Sequence, residues 1–228
     1  MKRGVTGILT KIAVSVFAFA LAMPLAVSAR TTQVPNSGIL TSLIPAPVSY
    51  VMINTATEQV IAFDRNDDVL QVFACSTGKS GNTVSGTFAT SNYYDWHLMN
   101  GGVYSRYAVR FNQHELMHSV PYYRHSPDSL EYRQFNKLGT PASMGCCRMS
   151  LSNAKWIYDN TKPGTTVKVV HDPSIEYELT SPIIRIDETN AATRGWDPTD
   201  TDPRSPYNTG EAVIPGNENN KEKEGNLL

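Results

Sequence analysis

Residues 48–75 read VSYVMINTATEQVIAFDRNDDVLQVFAC, and their rhythm decides the fold class. Val48–Asn54, Glu58–Phe63 and Val69–Cys75 are short apolar or β-branched runs, separated by the turn-rich stretches NTAT and DRNDD. Runs of this length and composition, bounded by Asn, Asp and Thr, predict strands. Gly86–Thr90, Tyr107–Phe111, Leu116–Val120 and Thr165–Val170 repeat the pattern downstream. Strands so short and so often interrupted predict a mostly β, sandwich-like or barrel domain rather than β-α-β units. One helix is expected, over Asn153–Asn160. Ser152 can cap it, Ala154, Ile157 and Tyr158 fall on one face, and Pro163-Gly164 ends it.

Working outward, the N-terminus reads as an export signal over residues 1–29. Lys2, Arg3 and Lys11 precede the uncharged run Ile12–Val27, and Val27-Ser28-Ala29 supplies small residues for cleavage. An apolar run this short, holding Pro24, is short for a spanning helix, although an uncleaved anchor is the alternative. No stable membrane span is expected after cleavage, and the mature protein is expected to be secreted or extracytoplasmic. Residues 30–46 are polar with two prolines and read as a linker. The catalytic-sized body is 47–185. From 186 to 228 the chain loses apolar periodicity, carries 9 acidic against 4 basic residues, and is expected to be a mobile acidic tail. The body at 30–185 is nearly neutral, with 13 basic and 12 acidic residues, so it offers no electrostatic footprint for nucleic acid.

Cys75, Cys146 and Cys147 are the three cysteines. An exported disulfide framework would show a larger, even set, and here at least one thiol is left over. Cys75 is expected to be buried. Two signatures compete for the chemistry. His114-Glu115-Leu116-Met117-His118 matches HExxH literally, but it follows the strand-like YAVRF, and Pro121 stops any helix soon after it. A zinc site needs both histidines on one helical face, so no metal is expected. The second signature is Ser143-Met144-Gly145-Cys146-Cys147-Arg148. A glycine turn ahead of a cysteine can aim backbone N–H groups at a developing oxyanion. An unperturbed thiol is only a few per cent thiolate at neutral pH, so it needs a base or a positive neighbour. His118 is the candidate base, and Arg148 adds charge two residues from Cys146.

The run TPASMGCCRMSLSNAKWIY resembles the active-site segment of L,D-transpeptidases, small-His-Gly-Cys-apolar-Arg. HSVPY resembles that family's other essential histidine segment, and STGKSGNTVSGTF its STG…T-P-x-G-T-F stretch. The resemblance covers roughly Val48 to Val170. It implies a β-sandwich-like catalytic domain with a short helix after the active-site cysteine, and no cofactor. By that resemblance Cys146 is the nucleophile and His118 the general base. The Ser119 backbone carbonyl orients His118, the Gly145 turn supplies oxyanion donors, and Arg148 meets a substrate carboxylate or holds the loop. Tyr122 is a candidate cleft residue. The implied partners are peptidoglycan stem peptides, donor and acceptor, and carbapenem-type β-lactams are implied to acylate Cys146. The same acyl-enzyme resolved by water makes an L,D-carboxypeptidase or cross-link hydrolase. A non-catalytic wall-binding module is the alternative from another class.

The chain departs from the family pattern in four places. Met144 stands where a second histidine is usual, Cys147 replaces an apolar residue, and Val84 replaces a proline. The fourth is a longer connection between His118 and Ser143, whose excess within Pro121–Lys137 is expected to form a loop over the site. Cys147 is either a buried substitution or the partner of Cys146 in a vicinal disulfide.

Overall fold

The computed structural model describes residues 47–209. The expected signal segment and linker, residues 1–46, lie outside that range, as do residues 210–228 of the expected tail. The strands are β1 (Tyr50–Asn54), β2 (Gln59–Phe63), β3 (Val69–Ala74), β4 (Gly86–Ala89), β5 (Tyr93–Leu98), β6 (Tyr104–Arg110), β7 (Leu116–Ser119), β8 (Cys147–Met149) and β9 (Thr166–Val170). They form a five-stranded sheet in the order β3-β2-β1-β9-β4 and a four-stranded sheet in the order β5-β6-β7-β8. The β1–β9 and β7–β8 pairs are parallel, the others antiparallel. The fold is mostly β, with two sheets and few helices.

Alternation along the strands explains why these segments pair. Val51 and Ile53 of β1 point into the main core, while Tyr50 and Met52 face the other side of the sheet. The core joins Val60, Phe73, Val109, Met117, Met149, Val167 and Val169 with Ala154 and Ile157 of α2 (Leu151–Asn160). Each fully buried Val or Ile here contributes about 1.5–3 kcal/mol over leaving it exposed. The outer face of β2 is covered too: Ile61 and Phe63 pack with Val72 and Leu179. Residues 172–180 run alongside, held by Asn54 Nδ2 donating to Asp172 O and Ile175 O (2.7 Å each) and by Gln59 Nε2 donating to Tyr177 O.

The expected helix exists, but it begins at Leu151, so Ser152 lies inside it rather than capping it. Its first amides are satisfied from a distance: Leu151 N–H donates to Asp197 Oδ2 (2.8 Å) and Ser152 N–H to Thr199 Oγ1 (3.0 Å). A carboxylate at a helix N-terminus satisfies an orphan donor and opposes the helix dipole. This contact lies beyond the domain end expected at 185. Thr193, Asp197, Asp200 and Ser205 are buried, and Ile186 joins a second apolar cluster with Val120, Leu130, Phe135 and Leu138. Arg106 lies between the Trp96 and Tyr107 rings, 5.1 and 5.0 Å from their centroids, and pairs with Asp200 at 3.3 Å. The described stretch to residue 209 thus packs against the sheets and α2 chiefly through polar side chains. Among the described residues, no helix is long and apolar enough to cross a membrane.

The connection Pro121–Lys137 also differs from the expected loop over the site. It carries the short helix α1 (Tyr132–Phe135) and packs Tyr122, Leu130 and Phe135 into the second cluster. Tyr122 is fully buried, its ring edge-on to Trp96, so it is a core residue and does not reach the cleft.

Candidate active site

The parallel pairing of β7 with β8 assembles the site. It sets His118 opposite Arg148 and Met117 opposite Cys147, bringing together segments far apart in sequence. Cys146 is the last residue of the turn that enters β8. Successive residues of an extended chain face opposite ways. Cys147 accordingly enters the core at 0% exposure, while Cys146, half-buried, lines a cleft of about 570 Å³ together with His118, Arg148, Glu115, His97 and Met144.

His118 is buried, and its Nδ1 lies 2.5 Å from the Ser119 carbonyl oxygen. A carbonyl only accepts, so Nδ1 carries the proton and Nε2 holds a bare lone pair. Nε2 has no hydrogen-bond partner. Burial, reinforced by the nearby Arg148 charge, pushes the imidazole down to about 3. Burial likewise raises the Cys146 thiol; the Leu116 N–H and Arg148 oppose that rise without overcoming it, and Glu115 adds to it. Both shifts favour the neutral forms of the two groups.

The turn before Cys146 is tightly braced. Gly145 has φ +151°, and a Cβ there would sit 3.3 Å from Glu115 Oε1 and 3.4 Å from Asn82 O, so glycine is required. Its N–H donates to Ser143 Oγ at 3.0 Å, and Ser143 Oγ donates in turn to Cys146 O. The Gly145 amide is therefore already bonded, which narrows the expected oxyanion donors to the Cys146 amide; among the described residues that amide has no partner. Thr83 Oγ1 donates to Gly145 O (2.7 Å) and accepts from Gly78 N–H (2.7 Å).

Beneath the turn, Ser76-Thr77-Gly78 acts as a strut. Ser76 exchanges two backbone bonds with Arg148 (2.8 and 2.9 Å), and Thr77 O accepts from the Ala142 and Ser143 amides. Glu58, itself at φ +52°, holds Thr77 through both carboxylate oxygens at 2.6 Å each. The sequence alone did not single out Glu58, Thr77 or Thr83. Their burial as polar residues beside a motif is the signal that finds them. Arg148 is half-buried and donates to Gln134 Oε1 at 3.1 Å, so it ties α1 to the site as well as facing the cleft.

The HELMH run does not form a helix. Leu116–Ser119 is β7, and Glu115 accepts from the Val84 N–H and Asn112 Nδ2 (2.9 Å each). The two histidines are not presented on one helical face. Met144 stands 82% exposed on the rim of the cleft.

Comparison with known proteins places this arrangement in a family. No curated protein matches the sequence. Among solved structures the chain is similar to an L,D-transpeptidase from Mycobacterium smegmatis, with 22% identity, 54% of this chain and 58% of that one covered, and a TM-score of 0.45. It is similar to one from Stackebrandtia nassauensis, with 18% identity, 61% and 63% covered, and a TM-score of 0.44. A third is L,D-transpeptidase 1 of Mycobacterium tuberculosis, with 20% identity, 53% and 58% covered, and a TM-score of 0.40. The chain spans roughly three-fifths of the length of these solved chains. The family model YkuD, the L,D-transpeptidase catalytic domain, matches residues 48–169, which hold both cleft residues Cys146 and His118, and the chain belongs to that family.

Proposed function

We propose that the protein is an exported cysteine transpeptidase that cross-links peptidoglycan stem peptides through a thioester on Cys146. The observation that carries this is the His118 imidazole: a buried ring, fixed through Nδ1, with an unpartnered Nε2 on the cleft that Cys146 shares. In this reading a stem tetrapeptide lies in the cleft with the carbonyl before its terminal D-residue at Cys146. The Sγ proton passes to His118 Nε2 as sulfur attacks. The Cys146 amide receives the oxyanion, and Arg148 meets substrate charge. The imidazolium, made strongly acidic by burial, returns its proton to the leaving amine, and D-alanine departs. An amine of a second stem then attacks the thioester; His118 takes its proton and returns it to Cys146 Sγ as the C–S bond breaks. No step calls for a metal or organic cofactor.

The test is product analysis by mass spectrometry on a tetrapeptide, with and without a stem bearing a free amine. The expected result is a cross-linked dimer that forms only when the amine is present. Tripeptide and D-alanine alone, at equal rate with or without the amine, would assign the enzyme as an L,D-carboxypeptidase. Unchanged tetrapeptide with folded, reduced protein would leave a wall-binding module. Export is tested separately by the N-terminus of the secreted protein, expected at Arg30.

A further inference from the structure

Thr83 lies far from Cys146 in sequence, yet its side chain ends on the active-site turn. It is buried and does not line the cleft. Its Oγ1 accepts from the Gly78 N–H and donates to the Gly145 carbonyl oxygen, each at 2.7 Å. The Gly78 amide occupies a lone pair, and the single hydroxyl proton goes to Gly145. Glycine at 78 is what admits so close an approach: a Cβ there would lie 2.7 Å from the Thr83 nitrogen. The Gly145 carbonyl and the Cys146 N–H belong to one peptide unit. In a planar trans peptide these two bonds point in opposite directions. Holding the oxygen therefore also fixes where the Cys146 N–H is aimed, on the side of the turn away from Thr83. Among the described residues no backbone donor reaches the Gly145 carbonyl, so this direction rests on the Thr83 hydroxyl. The next peptide unit is held separately, by Ser143 Oγ donating to Cys146 O.

We propose that Thr83 is a positioning residue for acyl transfer: its hydroxyl aims the Cys146 N–H as the oxyanion donor without itself touching substrate. The role deepens the acyl-transfer reading of Cys146 and rests on it. A donor aimed before reaction needs no reorganisation when charge develops on the carbonyl oxygen. Without the hydroxyl the peptide unit is free to turn, and the Gly145 carbonyl and the Gly78 amide each lose a buried partner. The reactivity of sulfur is a separate matter, because neither Cys146 Sγ nor His118 Nε2 is bonded to Thr83. Loss of the hydroxyl should therefore weaken attack on a carbonyl and spare attack on an alkyl halide, which forms no oxyanion.

Two rates are followed by intact mass on the reduced, folded full chain without its expected signal: acylation by a carbapenem and alkylation by iodoacetamide, each with Cys146→Ala as the blank. Thr83→Val keeps the side-chain volume and removes the hydroxyl. It should slow acylation about 10- to 100-fold, less than the roughly 10²- to 10³-fold loss when an oxyanion donor is removed outright. Alkylation should keep its wild-type rate, and Thr83→Ser should restore acylation. Thr83→Ala, which leaves space in place of a methyl, should match Thr83→Val and serves in its place if that variant does not fold. Wild-type acylation in the Val or Ala variant would overturn the proposal. So would acylation and alkylation falling by the same factor, which marks a general loosening of the turn, or a Ser variant as slow as Val. No adduct on folded wild type would remove the acyl-transfer reading and this inference together, whereas a reactive wild type beside an unaffected Val variant removes this inference alone.

Discussion

Replacing His118 with Gln should change how the fold responds to acid, because the ring is a buried base that the folded protein keeps neutral. Its folded value lies near 3, against about 6.5 in an unfolded chain. The folded value is depressed, so the contribution is fully present above about pH 6.5. It is lost as pH falls, because the unfolded chain binds a proton that the folded chain refuses. Between pH 8 and pH 5 the loss amounts to about 2 kcal/mol, and by pH 4 to about 3 kcal/mol. The figure at pH 5 depends almost wholly on the unfolded value, provided the folded value stays below about 4. Asp197 works the other way. Burial raises its carboxyl to about 6, so acid stabilises the fold through this group, by about 1.4 kcal/mol between pH 8 and pH 5. The two partly cancel in the wild type, leaving about 0.6 kcal/mol, so a single pH profile would understate both. Urea unfolding followed by tryptophan fluorescence, for wild type and His118→Gln at pH 8, 7, 6 and 5, separates them. The stability of wild type relative to the variant should fall by about 2 kcal/mol from pH 8 to 5. A difference that stays constant over this range would refute the buried, neutral imidazole.

Gly145→Ala forces a side chain onto φ +151° and against Glu115 and Asn82 O. It should cost about 1–3 kcal/mol and slow acylation of Cys146, read by denaturant melts and adduct kinetics. Tyr122→Phe removes a buried hydroxyl that has no partner. It should leave stability unchanged or improve it by up to about 1 kcal/mol without altering acylation, whereas a cleft role would slow it. Asp197→Ala strips the partner from the Leu151 amide and should destabilise by about 1–3 kcal/mol. Hydrogen exchange should be fastest in the first turn of α2.

The strands β1, β2 and β3 were legible because apolar runs alternate with Asn- and Asp-rich turns. β5 was not: Asp95 and His97 interrupt YYDWHL, whose positions are half-buried or exposed and show no clean alternation. β8 spans three residues, too few for a period to register. The stretch 187–209 looked like solvent-exposed tail because its anchors are polar: Asp197 and Thr199 hold the first amides of α2, and Asp200 pairs with Arg106. Such residues bury only when amides or a guanidinium are waiting, and composition cannot see those partners. Tyr122 beside Pro121 could have faced the cleft or the core, and only the neighbouring Trp96 and Leu130 decide it. The site was more legible than its support. His118 and Cys146 are chemically conspicuous, and the parallel register of β7 and β8 gathers them. The Glu58–Thr77 brace is made of ordinary residues whose role exists only in three dimensions.

The most direct measurement is the intact mass of the reduced, folded protein after incubation with a carbapenem, beside Cys146→Ala, Cys147→Ala and His118→Ala. If Cys146 is the nucleophile and His118 its base, wild type and Cys147→Ala each take one adduct per chain, His118→Ala takes it much more slowly, and Cys146→Ala takes none. An adduct that persists in Cys146→Ala, or no adduct on folded wild type, would contradict that assignment.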